Sequence, residues 1–259
     1  MRGKVSIVLM VGFVVSLCAL TALVQAEESE PQLWFMGHNV IKPSMMNELV
    51  ADLKEMVAYS KKHNYQYPWY TLIADNYHIY YAIPVKDKND IDEMFRTWGE
   101  LAEKVGKPWQ DMMKEYWNYY DSTGSFLLRH RPDISYNPEE AEGEQEENTF
   151  WVWHIDYVIP GKEAEYEAIY KEWADMNKRL NYAGAYNLYA GEMGIEGPVY
   201  IGMAGGKSLS QWYKDNEKFW EEVGKEGQER NERSRKLIRK HETKHLWYHP
   251  ELSYIPEKK

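Results

Sequence analysis

The chain has 259 residues, 44% of them hydrophobic and 15% aromatic, so it can bury a core of its own without covalent staples. Its 41 acidic against 31 basic residues give a formal net charge of −10, which disfavours nucleic acid and anionic membrane surfaces as partners. The single cysteine, Cys18, excludes a disulfide framework and a cysteine metal cluster, and no phosphate-binding glycine loop or G-x-S-x-G elbow occurs.

Arg2 and Lys4 precede an apolar run at 5–24, and Val24-Gln25-Ala26 has the small-x-small form of a cleavage site. Residues 1–26 therefore read as a signal peptide, with a retained anchor as the alternative. The expectation is a secreted or periplasmic protein with no stable membrane insertion after cleavage.

The remainder is written twice. RPDISYNPE at 131–139 returns as HPELSYIPE at 249–257, and Val105-Gly106-Lys107 returns as Val223-Gly224-Lys225, both at an offset of 118. Pro43 and Pro160, and Asn64-Tyr65 and Asn181-Tyr182, pair at 117. The implied organisation is a first repeat at 27–136, an acidic linker at 137–149 and a second repeat at 150–259.

Each copy predicts the same elements in chain order. A first strand at 34–41 or 151–159 is closed by Pro43 or Pro160. A helix follows, with Leu49, Leu53, Met56 and Val57 in one copy and Tyr166, Ile169, Tyr170, Trp173, Met176 and Leu180 in the other at helical spacing. Two strands come next, at 69–74 and 78–83 and at 185–190 and 199–203. A second helix, capped by Asp90 or Ser208, runs to Gly106 or Gly224. A third helix leads to a short extended segment and a last strand ending near Ser135-Tyr136 and Ser253-Tyr254. This β-α-β-β-α order is that of the split βαβ unit. The fold expected is α+β, two ferredoxin-like repeats whose open sheet faces close on each other as an intramolecular barrel.

The layout resembles the dimeric α/β-barrel superfamily, which includes antibiotic-biosynthesis monooxygenase-like and NIPSNAP-like proteins. Ile159-Pro160-Gly161-Lys162 matches its strand-Pro-Gly-helix entry, whereas Lys42-Pro43-Ser44 lacks the glycine. The resemblance implies a pocket in or beside the barrel, but no single reaction, since the superfamily holds cofactor-free oxygenases, isomerases, cyclases and haem enzymes.

HETKH at 241–245 matches the zinc-protease pattern H-E-x-x-H, which works when a helix puts both histidines on one face. The segment reads as a charged helix with Glu242 in solvent, and only fourteen residues follow His245, too few for a separate third-ligand helix. A zinc protease is disfavoured, and no cofactor is expected; a metal or haem site using His241 or His245 is the alternative.

On the first strand of the second copy, Val152, His154, Asp156 and Val158 share one face. This polar face is the expected barrel interior, with Asn39 as the counterpart of Asp156. His154 and Asp156 are the candidate catalytic pair, suited to proton transfer. At offset 118 Met113, Tyr116 and Thr123 become Asn231, Ser234 and His241, so the second copy is expected to hold the pocket. Trp69 matches Tyr186 on the second strand, with Tyr189 nearby, and Tyr80 matches Tyr200 on the third. With Asn231 and Ser234, these aromatics are candidates for a small organic or sugar ligand. The rival reading is a non-catalytic envelope interaction module. Oligomerisation is not required, because one chain supplies both sheets.

Overall fold

The computed structural model describes residues 32–138 and 148–257. The expected signal peptide and most of the expected linker lie outside the described residues. The first half comprises β1 (Leu33–Ile41), α1 (Met46–Lys62), β2 (Tyr70–Ala74), β3 (His78–Val85), α2 (Lys88–Val105), α3 (Lys107–Tyr116) and β4 (Tyr120–His130). The second comprises β5 (Phe150–Val158), α4 (Glu163–Leu180), β6 (Asn187–Met193), β7 (Val199–Gly206), α5 (Leu209–Arg235) and β8 (Ile238–Tyr248). The fold is α+β. Eight antiparallel strands of the described residues close in the order β1-β3-β2-β8-β5-β7-β6-β4, each paired on both sides over at least part of its length.

Local chemistry explains the elements. Leu49, Leu53, Met56 and Val57 bury one stripe of α1, and Tyr166, Ile169 and Met176 do so on α4. Ser208 caps α5 as expected, accepting from the Gln211 amide at 3.2 Å. The cap of α2 is Asp87 rather than Asp90, because Asp87 accepts from the amides of Asn89 and Asp90 while Asp90 accepts from the Tyr67 hydroxyl at 2.5 Å. Gly106 (φ 73°, ψ −132°) breaks α2 from α3, and Gly224 (φ 50°, ψ −137°) kinks α5 at the matching position. Only glycine adopts this backbone at low cost.

The two halves share register. Asn39 lies opposite Ile79 and Thr123, and Asp156 lies opposite Tyr200 and His241. Each first strand has a register shift in the corresponding place, at Val40/Ile41 and at Tyr157/Val158. The repeated PDISY and PELSY segments have a specific job: each packs on the other half. Tyr254 bridges to Trp69 and donates its hydroxyl to the Tyr65 carbonyl, while Tyr136 bridges to Tyr186 and donates to the Tyr182 carbonyl.

Three expectations are corrected here. The barrel interior is the aromatic face, not the polar one: Trp153, Ile155 and Tyr157 point inward and pack with Met36, Tyr80, Leu128, Ile201 and Leu246. His154 and Asp156 are on the outer face, under the helices. The interior is packed with large side chains, Trp153 1% and Tyr80 2% exposed, and the cleft that could take the expected ligand lies against the outer face, with His154 and Asp156 in its lining. Second, HETKH lies on β8, not on a helix. Third, Glu242 is not turned to open solvent; it sits on the inward side of β8, one third exposed, paired with Lys240 at 2.6 Å. No described helix is long and apolar enough to cross a membrane.

Candidate functional site

The matched registers show what distinguishes the halves. In the first, Tyr81, Tyr116 and Tyr120 converge between sheet and helices, with hydroxyls 3.3 and 3.2 Å apart. Strand pairing places Gly202 where Tyr81 stands and Ile238 where Tyr120 stands, and the offset places Ser234 at Tyr116. Three phenols are thus replaced by a hydrogen, an isoleucine and a hydroxymethyl group. The helix-facing core of the first half is one cluster of 21 buried hydrophobic residues, whereas under the second half's helices the cluster holds 5, with Phe150, Val152, Ile169, Met176 and Val223 buried outside it, so the packing there is broken up. A cleft of ≈ 1450 Å³ results.

Its floor is β5, β7 and β8, with His154, Asp156, Gly202 and His241; its walls carry Tyr170, Trp173, Tyr182, Trp212 and Phe219. The wall helices α4 and α5 are tied across by Arg179–Glu226 at 2.7 Å and Arg233–Glu172 at 2.6 Å. Asp156 is buried, 6% exposed, and is the centre of the polar floor. Tyr166 donates to its Oδ2 at 2.6 Å, and His241 Nδ1 stands 2.6 Å from its Oδ1. This fixes the His241 tautomer: Nδ1–H donates to the carboxylate, and Nε2 accepts from the Thr243 hydroxyl at 3.1 Å. The hydrogen bond to Asp156 raises the His241 pKa above its ordinary value, although burial opposes it. His154, whose ring centroid is 5.7 Å from that of His241, is lowered, first by burial and then by His241. The floor therefore joins a basic imidazole on a buried carboxylate to a second imidazole kept neutral.

Of the expected site residues, His154, Asp156, Tyr186, Asn231 and Ser234 border this cleft, as does His241. The others do not meet there. Asn39 lies in the filled first half, 9% exposed. Trp69 is core, its indole donating to the Leu252 carbonyl at 2.9 Å. Tyr80 is inside the barrel against Trp153. Tyr189 also points inward, beside Trp34. Tyr200 packs under α4 and donates to Glu167 at 2.6 Å. The match of Tyr80 to Tyr200 is off by one residue: register equates Tyr200 with Ile79, and a one-residue slip turns a side chain to the other face. His245 packs on Phe150 away from the cleft. His241 and His245 cannot share one ion, because four residues of strand separate them by about 13 Å with parallel side chains, against the roughly 3–4 Å between nitrogens on one zinc. Among the described residues no group of three His, Cys, Asp or Glu is placed to hold a metal.

Sequence reasoning missed the aromatic walls Trp173, Trp212 and Phe219 as site residues, and Gly202. The signal for Gly202 was present in the repeat, but only strand pairing aligns it with Tyr81. It also missed a pair inside the barrel mouth, where His38 Nε2 meets His78 Nδ1 at 2.7 Å and Tyr80 stacks on His38 at 4.6 Å.

The architecture has relatives among solved structures. An anthrone oxidase-like protein aligns at TM-score 0.55 and 13% identity over 86% of this chain and 93% of its own. A monooxygenase-like protein from Lactobacillus acidophilus NCFM aligns at TM-score 0.54 and 9% identity over 87% and 96%. A chlorite dismutase variant from Candidatus Nitrospira defluvii aligns at TM-score 0.50 and 10% identity over 85% and 92%. The chain has the dimeric α+β-barrel fold. No protein-family profile matches it, and no curated protein matches it in sequence.

Proposed function

We propose that the protein binds a planar, hydroxylated organic molecule in the second-half cleft and exchanges a proton with it through His241, held by Asp156. The observation that carries this reading is the Asp156–His241 pair on the floor of a cleft that the first half fills with three tyrosines. Aromatic walls favour a flat ligand by stacking, and the raised basicity of His241 suits it to take a proton from a phenol or enol. Asp156 stabilises the resulting imidazolium, and neutral His154 beside it adds no second charge. The name of one structural neighbour, an anthrone oxidase-like protein, agrees with a flat organic substrate.

Binding is tested with 2-naphthol, read by quenching of Trp173, Trp212 and Trp220 fluorescence and by the absorbance of the naphtholate. Wild-type protein should bind it and raise the naphtholate fraction at pH 7. His241→Ala should bind it with no such rise. A rise in His241→Ala equal to that of wild type would sink the proton-exchange reading.

A second reading is favoured by the carboxylate on His241 Nδ1, an arrangement common for metal-bound histidine. His241 would then ligate the iron of a haem, with Trp173, Trp212 and Phe219 offering apolar surface to hold it, and the haem would supply redox chemistry when bound. Hemin titration showing a Soret shift that His241→Ala abolishes would favour this over the naphthol reading.

We also propose that the chain is exported, with cleavage after Ala26, and that its halves arose by tandem duplication, one copy keeping its plug and the other losing it. The matched offsets and registers support duplication. Mass spectrometry of protein recovered from whole cells and medium tests the cleavage.

A further inference from the structure

At one end of the cleft two buried polar groups have no partner. Asn177, 1% exposed, makes no hydrogen bond through either Oδ1 or Nδ2, and the Tyr186 hydroxyl makes none. Both residues border the cleft. Buried amides in folded proteins nearly always find partners, so a doubly unpaired one beside an open cleft calls for a ligand that supplies them. The first half gives the contrast. The Tyr65 amide bonds to the Ser60 carbonyl and the Tyr182 amide to the Asn177 carbonyl, each at 3.0 Å, which equates Ser60 with Asn177. Ser60 Oγ is also unpaired, but Ser60 borders neither the cleft nor the small pocket of ≈ 110 Å³ at Asn64, Tyr65 and Leu101. Trp69, the counterpart of Tyr186, has its polar atom satisfied by Leu252.

The position sets a length. The Tyr170 hydroxyl reaches to 3.5 Å from Asp156, and seven residues of α4 carry the chain from Tyr170 to Asn177, about 10 Å at the helical rise. The surroundings set a charge. Burial, then Asp215 and Glu222, push the Tyr182 phenol up to about 12, and burial with Asp175 raises Tyr186. Lys218 borders the cleft as an exposed side chain, and Lys207, Arg235, Arg239 and Lys240 border it as well. The carboxylates that act on these two phenols, Asp175, Asp215 and Glu222, disfavour an anion beside them.

We propose that Asn177 and Tyr186 form a recognition subsite for an uncharged carboxamide or keto group at the far end of a flat ligand about 10 Å long, whose hydroxyl lies at Asp156–His241. This rests on the proposed ligand cleft and adds the identity of its second end. An amide in the ligand would donate to Asn177 Oδ1 and accept from Nδ2; a ketone would accept from Nδ2 or Tyr186.

Three probes share the hydroxyl end and differ at the other: 2-naphthol, 6-hydroxy-2-naphthamide and 6-hydroxy-2-naphthoate. Dissociation constants are measured by tryptophan quenching for wild type, Asn177→Leu and Tyr186→Phe. Wild type should hold the naphthamide about tenfold more tightly than 2-naphthol, the gain of one or two good hydrogen bonds, and should hold the naphthoate no better than 2-naphthol. Asn177→Leu should lose the naphthamide preference and keep its 2-naphthol affinity, which also shows that the cleft is intact. Tyr186→Phe, the milder change, should lose part of it. If wild type binds naphthamide and 2-naphthol equally, or if both variants keep the preference, the subsite is overturned and the cleft reading stands. If none of the three probes binds wild type, both fall.

Discussion

At the scale of single residues, Gly202 decides whether the second half has a site. A β-carbon built there meets Leu188 at 3.6 Å, an ordinary contact, so the position accepts a side chain. Gly202→Tyr should rebuild the plug of the first half. We expect loss of 2-naphthol binding by at least about tenfold with a melting temperature equal or higher, since filling apolar space is stabilising where no strain is introduced. Thermal melts beside the fluorescence titration check both halves of the statement. The His38–His78 pair carries a pH signature. One N–H···N bond joins the rings while neither carries an extra proton, and burial, followed by His78 and Lys244, lowers His38 to about 4. A lowered folded pKa means stability that is present above the unfolded value near 6.5 and lost as pH falls from there toward about 4. His38 is only about half shielded, so the loss is on the order of 1 kcal/mol once solvent screening is allowed for. His38→Phe, which keeps a ring against Tyr80, should flatten urea stability between pH 7 and pH 4.5; an unchanged slope would refute this.

At the scale of elements, the glycine between the outer helices is a conformational requirement rather than a packing one. At Gly224 an added β-carbon would touch nothing within 4 Å, yet φ is 50° with ψ at −137°. Gly224→Ala should therefore cost about 1–3 kcal/mol through the backbone alone, and Gly106→Ala a similar amount. Denaturant midpoints with unchanged slopes would show it. Helices α1 and α4, the first strands and the paired glycines were legible in the sequence because each is set by local periodicity or backbone chemistry. The strands β4 and β8 were not. Their first halves pair on one side only, with β1 and β5, and lie largely exposed, Asp121 to Ser125 without interruption, so the alternation that marks a half-buried strand is weak or missing. HETKH falls in that stretch, and its charges made a strand look like a solvated helix.

At the scale of the whole molecule, each half depends on the other in two ways. The sheet faces close on one another, and the tails at 249–255 and 131–136 are exchanged. Leu252 and Tyr254 belong to the first-half core and Ile134 to that of the second. A fragment of residues 32–138 would expose Met36, Leu72 and Tyr80 and lack the partner of Trp69. We expect it to show no cooperative unfolding by circular dichroism alone and to regain it when mixed with residues 148–257. Cooperative melting of the isolated fragment would contradict the interlock.

The sequence by itself determined the α+β class, the β-α-β-β-α order that opens each half and the half in which room would be found, because repeated segments, periodicity and side-chain volume are properties of the chain. Tertiary structure alone decided which face of β5 turns inward. Alternation separates Trp151, Trp153, Ile155 and Tyr157 from Val152, His154, Asp156 and Val158, but either set could have lined the barrel. The barrel took the aromatic set because two sheets closing on each other leave a dry interior that large apolar rings fill. That placed Asp156 under the helices, where β8 brings His241 to it from 85 residues away. Such a pairing depends on strand register across the sheet, and no local pattern in the chain specifies it.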